Sequence, residues 1–282
     1  AARAGSTIHL VSISKPIWSY GVDTLPGVLP PKEGRLRRVA FAQLATPGLA
    51  DLRERMAKPE DELGRFARGL PLWLAETMYF SPHYAPIAAV GMVEKAHYAL
   101  FPGEWTTENI RQLVDTSGEG LDYVFTGALR EQSGDTELVL RLWEIKKFRE
   151  RKVFNARWTP ATADAELAKL HEQLRLFMEW SPYPAGAGVG HTPPPRPAAW
   201  IQTLGASVSL FLADKGVLPK EHAVLSPTVV DALAEQAVTS EAASLAWLTL
   251  GDRARRLGLA GTLPAVQLHP GAAVQQARGA LG

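Results

Sequence analysis

The sequence predicts an α/β protein: a mixed sheet that ends in an antiparallel meander, packed with helices and followed by a helical tail. Three observations predict it. Short apolar or alternating runs recur between helix-periodic stretches through the first 158 residues. Three of those runs, between 121 and 158, are joined by short polar turns alone. Beyond a proline- and glycine-rich stretch at 181–198 the remaining patterns are helical.

Residues 6–14 alternate apolar and polar, as a half-buried strand does. Pro26, Pro30 and Pro31 near Gly27 and Gly34 mark a turn-rich connector, and residues 37–44 read as a second strand. Residues 59–80 are helix-periodic, with Leu63, Phe66 and Leu70 at spacings of three and four. Proline inside a helix costs roughly 3 kcal/mol, so two helices are expected, the second starting at Pro71 and ending before Pro82. Ala85–Met92 is a short buried strand. A helix follows over 106–114, with Thr106 as its cap and Glu108 in the first turn, where the dipole favours negative charge.

The strongest β signal comes next. Leu121–Leu129 and Glu137–Ile145 flank a turn at Gln132-Ser133-Gly134-Asp135, and a charged connection over 146–151 leads to Val153–Trp158. Gly127, inside a strand, marks a bulge or the close approach of another backbone. Thr159-Pro160 then reads as a helix start, and Leu167, Leu170, Leu174 and Phe177 as the apolar stripe of that helix to about Trp180. Six prolines and three glycines occupy 181–198, the expected linker. Helices are expected near 199–215, 227–238, 240–257 and 269–281, with Trp200, Leu204, Val208 and Phe211 on one face of the first. The organisation is therefore an N-terminal extension with one strand (1–35), an α/β domain (36–180), a linker (181–198) and a helical region (199–282).

Composition narrows the chemistry. The 282 residues are 46% hydrophobic, enough to bury a core without staples. No cysteine is present, which excludes disulfides, thiolate metal sites and a cysteine nucleophile. The net charge of +1 gives no global attraction to nucleic acid. No run approaches the ~20 apolar residues of a membrane span. The N-terminal Ala1–Ser6 has no signal-peptide core and is compatible with removal of an initiator Met or of a leader. The expectation is a soluble protein of the cytoplasm, or of the periplasm if a signal was cleaved.

The seven histidines are scattered without zinc-ligand spacing, and neither a P-loop nor a nucleophile elbow occurs. Gly186–Gly190 is glycine-rich but sits between prolines, so it reads as linker rather than phosphate cradle. His171-Glu172 reads as a solvated pair. Segment 141–152 carries six basic residues against Glu144 and Glu150, a net of +4. Lys146, Lys147, Phe148, Arg149 and Arg151 are the candidate partner-binding residues there, and Arg35, Arg37 and Arg38 could lie nearby. The alternative is a charged hairpin tip that blocks edge-to-edge aggregation. Of the eight tryptophans, most belong in the core and one or two could anchor a contact.

The stretch from about Arg35 to Trp158 resembles the TolB amino-terminal-domain family, whose fold relates to the CsgG and FlgO proteins. The resemblance rests on Phe66-Ala67-Arg68-Gly69-Leu70, on Asp122-Tyr123-Val124-Phe125-Thr126-Gly127-Ala128-Leu129-Arg130, and on the Gly134-Asp135 turn. The glycine-rich turn usual between the last two strands is replaced by residues 146–151. The first 35 residues and those after 180 have no counterpart. The resemblance implies a bacterial accessory or assembly module and carries no catalytic residues.

The expected function is thus a non-catalytic interaction or scaffolding subunit, partnered by protein or by further copies of itself, with no cofactor and no metal. The alternative is a sensor binding a nucleotide-like or other anionic ligand near the basic hairpin. A third possibility is an enzyme whose carboxylates, of the kind of Glu76, Asp122 and Glu144, meet only on folding.

Overall fold

The computed structural model describes residues 7–94, 97–118, 120–259, 261 and 263–282. The expectations for Ala1–Ser6, including a strand beginning at Ser6, lie outside the described residues. The element order is β1 (Ile8–Ile13), β2 (Arg37–Ala42), α1 (Leu52–Met56), α2 (Glu62–Tyr79), β3 (Tyr84–Val93), β4 (His97–Tyr98), α3 (Thr107–Thr116), β5 (Tyr123–Gln132), β6 (Asp135–Glu144), β7 (Arg149–Trp158), α4 (Ala163–Phe177), α5 (Pro197–Asp214), α6 (Pro227–Ala237), α7 (Glu241–Arg256) and α8 (Ala272–Leu281).

One mixed sheet runs β1-β3-β2-β5-β6-β7, with β4 paired to β3 beyond the end of β2. β2 lies parallel between β3 and β5. β1 is antiparallel to β3, and β5, β6 and β7 form the expected antiparallel meander. Gly127 is where β6 comes closest: a Cβ there would overlap the carbonyl oxygen of Val139.

α2 is the centre of the molecule. Every residue from Gly64 to Tyr79 is buried, as for a helix enclosed on all sides. It is one continuous helix, not two, with Pro71 inside it. The usual objection to an interior proline is the unpaired carbonyl four residues earlier. Here that carbonyl, on Ala67, accepts the backbone N–H of Leu44 at 3.1 Å, so the lost helical bond is replaced by one to the β2 exit. Asp61 caps the start, accepting from Gly64 N at 2.7 Å.

On its far side α2 crosses α5 at backbone contact. A Cβ on Gly69 would overlap the carbonyl oxygen of Ile201, and one on Gly205 would lie 2.5 Å from the carbonyl oxygen of Arg65. α6, α7 and α8 extend this helical layer, and residues on both sides of 181–198 belong to one hydrophobic cluster. The opposite face of the sheet carries α3, capped by Thr106 and Asn109 in reciprocal hydrogen bonds. Small residues Ala40 and Ala42 let its Ile110 and Leu113 sit close to β2 and β5.

Two local boundaries differ from expectation. Thr159-Pro160 forms a turn whose Thr159 N–H donates to Thr162 Oγ1, and α4 starts three residues later at Ala163. The charged connection after β6 is shorter than expected, because Arg149, Glu150 and Arg151 already pair within β7 or its bulge. An early segment meets a late helix: Thr249 Oγ1 of α7 donates to Trp18 O at 3.0 Å and Arg253 Nη2 to Tyr20 O at 2.6 Å.

Candidate functional site

The sheet has two outer strands, and they are built differently. β7 is the defended one. It carries Arg149, Glu150, Arg151, Lys152 and Arg157, and a register shift opposite Leu142 and Trp143 leaves Arg151 as the extra residue of a bulge. Charge and bulges are the two devices that stop a sheet edge from recruiting another strand.

The basic segment sits at the start of this strand. Lys146 and Lys147 are exposed in the β6–β7 turn, and among the described residues neither enters an ion pair. Phe148, at φ 46°, folds back against Trp143 with ring centroids 6.4 Å apart, and the Arg111 guanidinium lies 4.5 Å from its ring centre. Arg149 pairs with Glu144 at 3.1 Å. Arg141 is held by Glu104 at 2.6 Å and Glu150 at 3.0 Å, hydrogen bonds that raise its pKa further. Arg151 stands 5.8 Å from the Phe177 ring centre. The structure thus brings Lys146, Lys147, Phe148 and Arg149 to one turn and sets Arg151 beyond it. Arg37 and Arg38 begin β2 at the same end of the sheet, where Val39 pairs with Tyr123 and Tyr123 with Glu144.

β1 is the undefended edge. It contains no Asp, Glu, Lys or Arg, and among the described residues its outer side pairs with no strand. Val11 and Ile13 face the main core, while Ile8 (47% exposed) and Leu10 (37%) face the α3 side. There they line a cleft of about 820 Å³ with Ile87, Phe101 and Trp105, opposite the polar side chains of Asn109, Gln112 and Thr116. α3 covers β2 and β5 and stops short of β1, so an apolar strip runs beside an open backbone edge.

Glu76, Asp122 and Glu144 are each engaged in a different place. Glu76 is fully buried on α2, accepting from Trp18 Nε1 at 3.0 Å, and burial pushes its pKa up to about 8 against the hydrogen bonds from Trp18 and Trp200. Asp122 accepts the Arg38 N–H at 2.8 Å, and Glu144 is engaged by Arg149. Among the described residues no group of three potential ligands could hold a metal. In a doubly wound sheet, ligands enter beyond the carboxyl ends of the strands where the strand order reverses, here between β2 and β5. That crevice is closed. Ala45 N–H donates to Gly127 O at 3.0 Å, Leu129 N–H to Ala45 O at 2.8 Å, and Gln43 bridges Ala99 O and Gly91 N.

The histidine of the expected solvated pair is instead interior. His171 is 1% exposed, stacked on Trp73 at 4.4 Å, with its Nε2 2.7 Å from Thr77 Oγ1. The Thr77 hydroxyl donates to Trp73 O at 3.0 Å, so His171 Nε2–H is the donor to it. The signal was present in the sequence: position 171 falls four after Leu167 and three before Leu174, on the buried stripe.

Fold and surface together define a mixed α/β sheet protein with one charged, bulged edge and one bare apolar edge. Comparison with protein-family models, with curated proteins and with solved structures returned no match. No helix among the described residues is long and apolar enough to cross a membrane.

Proposed function

We propose that the protein is an interaction subunit that receives an extended strand of a protein partner along β1. The observation that carries this reading is the contrast between the two sheet edges. A six-residue edge that, among the described residues, has no charge, bulge or paired strand on its outer side is an aggregation liability unless something pairs with it. Strand addition satisfies its backbone groups, and the Ile8–Leu10 side supplies pockets for alternate apolar side chains.

The test is a random peptide library displayed on phage and selected on the purified protein. Selected peptides should alternate apolar and polar residues, protect the amides of 8–13 from hydrogen exchange when bound, and lose binding at least about tenfold to Leu10→Lys, which sets a charge on the strip. Peptides that bind well yet leave β1 amides unprotected, or a library that yields no binder, would remove the reading. Light scattering of the protein alone identifies a second copy as the occupant if the mass doubles in wild type and not in Leu10→Lys.

A further inference from the structure

A second groove lies at the other end of the meander from the basic turn. It encloses about 640 Å³ between the start of α2, the β5–β6 end of the sheet, α5 and α6. Phe66 and Trp158, with ring centroids 5.8 Å apart, form its floor together with Leu129. Glu62, Glu131 and Asp231 stand exposed on its rim, and among the described residues no ion pair involves any of them. Two basic residues also line it: Arg196 pairs with Glu235 at 2.9 Å, while Arg65 bonds the neutral Gln202 at 3.1 Å and keeps its charge, so four carboxylates stand against two guanidiniums. The groove therefore carries an excess of two negative charges around an apolar floor.

The β6–β7 turn presents the complement, two exposed lysines that enter no ion pair among the described residues. Lysine suits such a groove because its methylene stem lies on apolar surface while its ammonium reaches a carboxylate at the rim. Within one molecule the two features cannot meet. β6 has ten residues, so they sit at opposite ends of strands roughly 30 Å long.

We propose that the Lys146-Lys147 turn of one copy docks into the Glu62/Glu131/Asp231 groove of the next, so that the protein assembles head to tail. Such a contact is heterologous: each copy keeps a used and an unused end, and growth continues into an open chain or closes into a ring. The inference is independent of the β1 reading, since neither end of this contact touches β1.

Sedimentation velocity over a concentration series tests it. Wild type at low salt should show species that grow beyond two copies and retreat as salt screens the contact. Lys146→Gln with Lys147→Gln, and Glu131→Gln with Asp231→Asn, should each reduce self-association by about tenfold or more while leaving circular dichroism unchanged, because all four positions are exposed. An equimolar mixture of the two variants is decisive. It retains one intact turn and one intact groove per pair, so it should form species of two copies and stop there. Leu10→Lys should leave this series unchanged. A wild type that stays monomeric at low salt, a wild-type association that neither variant weakens, or a mixture that fails to stop at two copies overturns the proposal.

Discussion

Buried ionisable side chains set how this protein responds to pH. His171 is buried and His191 half-buried with its Nδ1 shielded from solvent, and desolvation pulls their pKa values down to about 3 and about 4, so both are neutral. An unfolded histidine binds its proton near 6.5, so between there and about 4 the unfolded state takes up protons the folded state refuses. Stability contributed by these two groups is full above 6.5 and is lost as pH falls. Glu76 works in the opposite sense. Its folded pKa is raised to about 8 from 4.5, so it opposes folding increasingly as pH rises from 4.5 to 8. From 6.5 down to 4.5 the two histidines outweigh the one glutamate, and net stability should fall with acid. Glu76→Gln keeps an acceptor for the Trp18 indole and removes the titration. It should stabilise the protein at pH 8 by up to about 4 kcal/mol and have little effect at pH 4.5, read from urea melts at the two pH values. Equal effects at both values would show that Glu76 is not the titrating group. Neither burial was expected from composition. His171 was legible in helical spacing, whereas the burial of Glu76 depends on α5 and Trp18 closing over α2 from distant parts of the chain.

At the scale of elements, several local patterns are legible in the sequence, although the Thr159-Pro160 start of α4 is not among them. The meander, the Thr106 cap and the glycine inside β5 all follow from residues within a few positions of one another. Pro71 was misread because its compensation comes from outside the helix, in the Leu44 N–H. That gives a sharp contrast between two substitutions in one helix. Pro71→Ala should change stability by less than about 1 kcal/mol, since the carbonyl it would regain is already bonded, although proline in a helix interior ordinarily costs ~3 kcal/mol. Gly69→Ala, which improves helix propensity by ~1 kcal/mol in isolation, should destabilise by about 3 kcal/mol or prevent folding, because α5 has no room to retreat. Chemical denaturation of both variants checks this. A stabilised Gly69→Ala would mean that the helices are not in backbone contact. The role of the α2–α5 crossing was hidden in the sequence: Gly69 faces Ile201 O and Gly205 faces Arg65 O, partners more than 130 residues away, and only the crossing explains either glycine.

For the whole molecule, the consequence of a fully buried α2 is that the proline-rich stretch at 181–198 connects parts that share one core. Val189 is itself buried there, with its N–H donating to Val28 O at 3.3 Å. A single proteolytic cut near Gly186 should therefore leave the two fragments associated, eluting together at the intact size under native conditions and separating only in denaturant. Fragments that part on cutting would show that the helical layer is an appendage. The strongly charged hairpin was legible as a feature from its sequence alone. Its relation to an acidic groove at the far end of the sheet was not, because that groove is assembled from α2, β5, α5 and α6 and exists only in the folded chain.

The hydrogen bonds from Thr249 to Trp18 and from Arg253 to Tyr20 span 231 and 233 residues. During vectorial synthesis the early segment around Trp18 emerges from the ribosome long before α7 does. At about 5–20 residues per second, that is a wait of roughly 10–50 s with Ile17, Trp18 and Val22 still lacking their final cover. The nascent chain must keep these side chains from wandering into other polypeptides for that whole interval, so its dependence on a holding chaperone should be greatest before α7 is translated and vanish once it is.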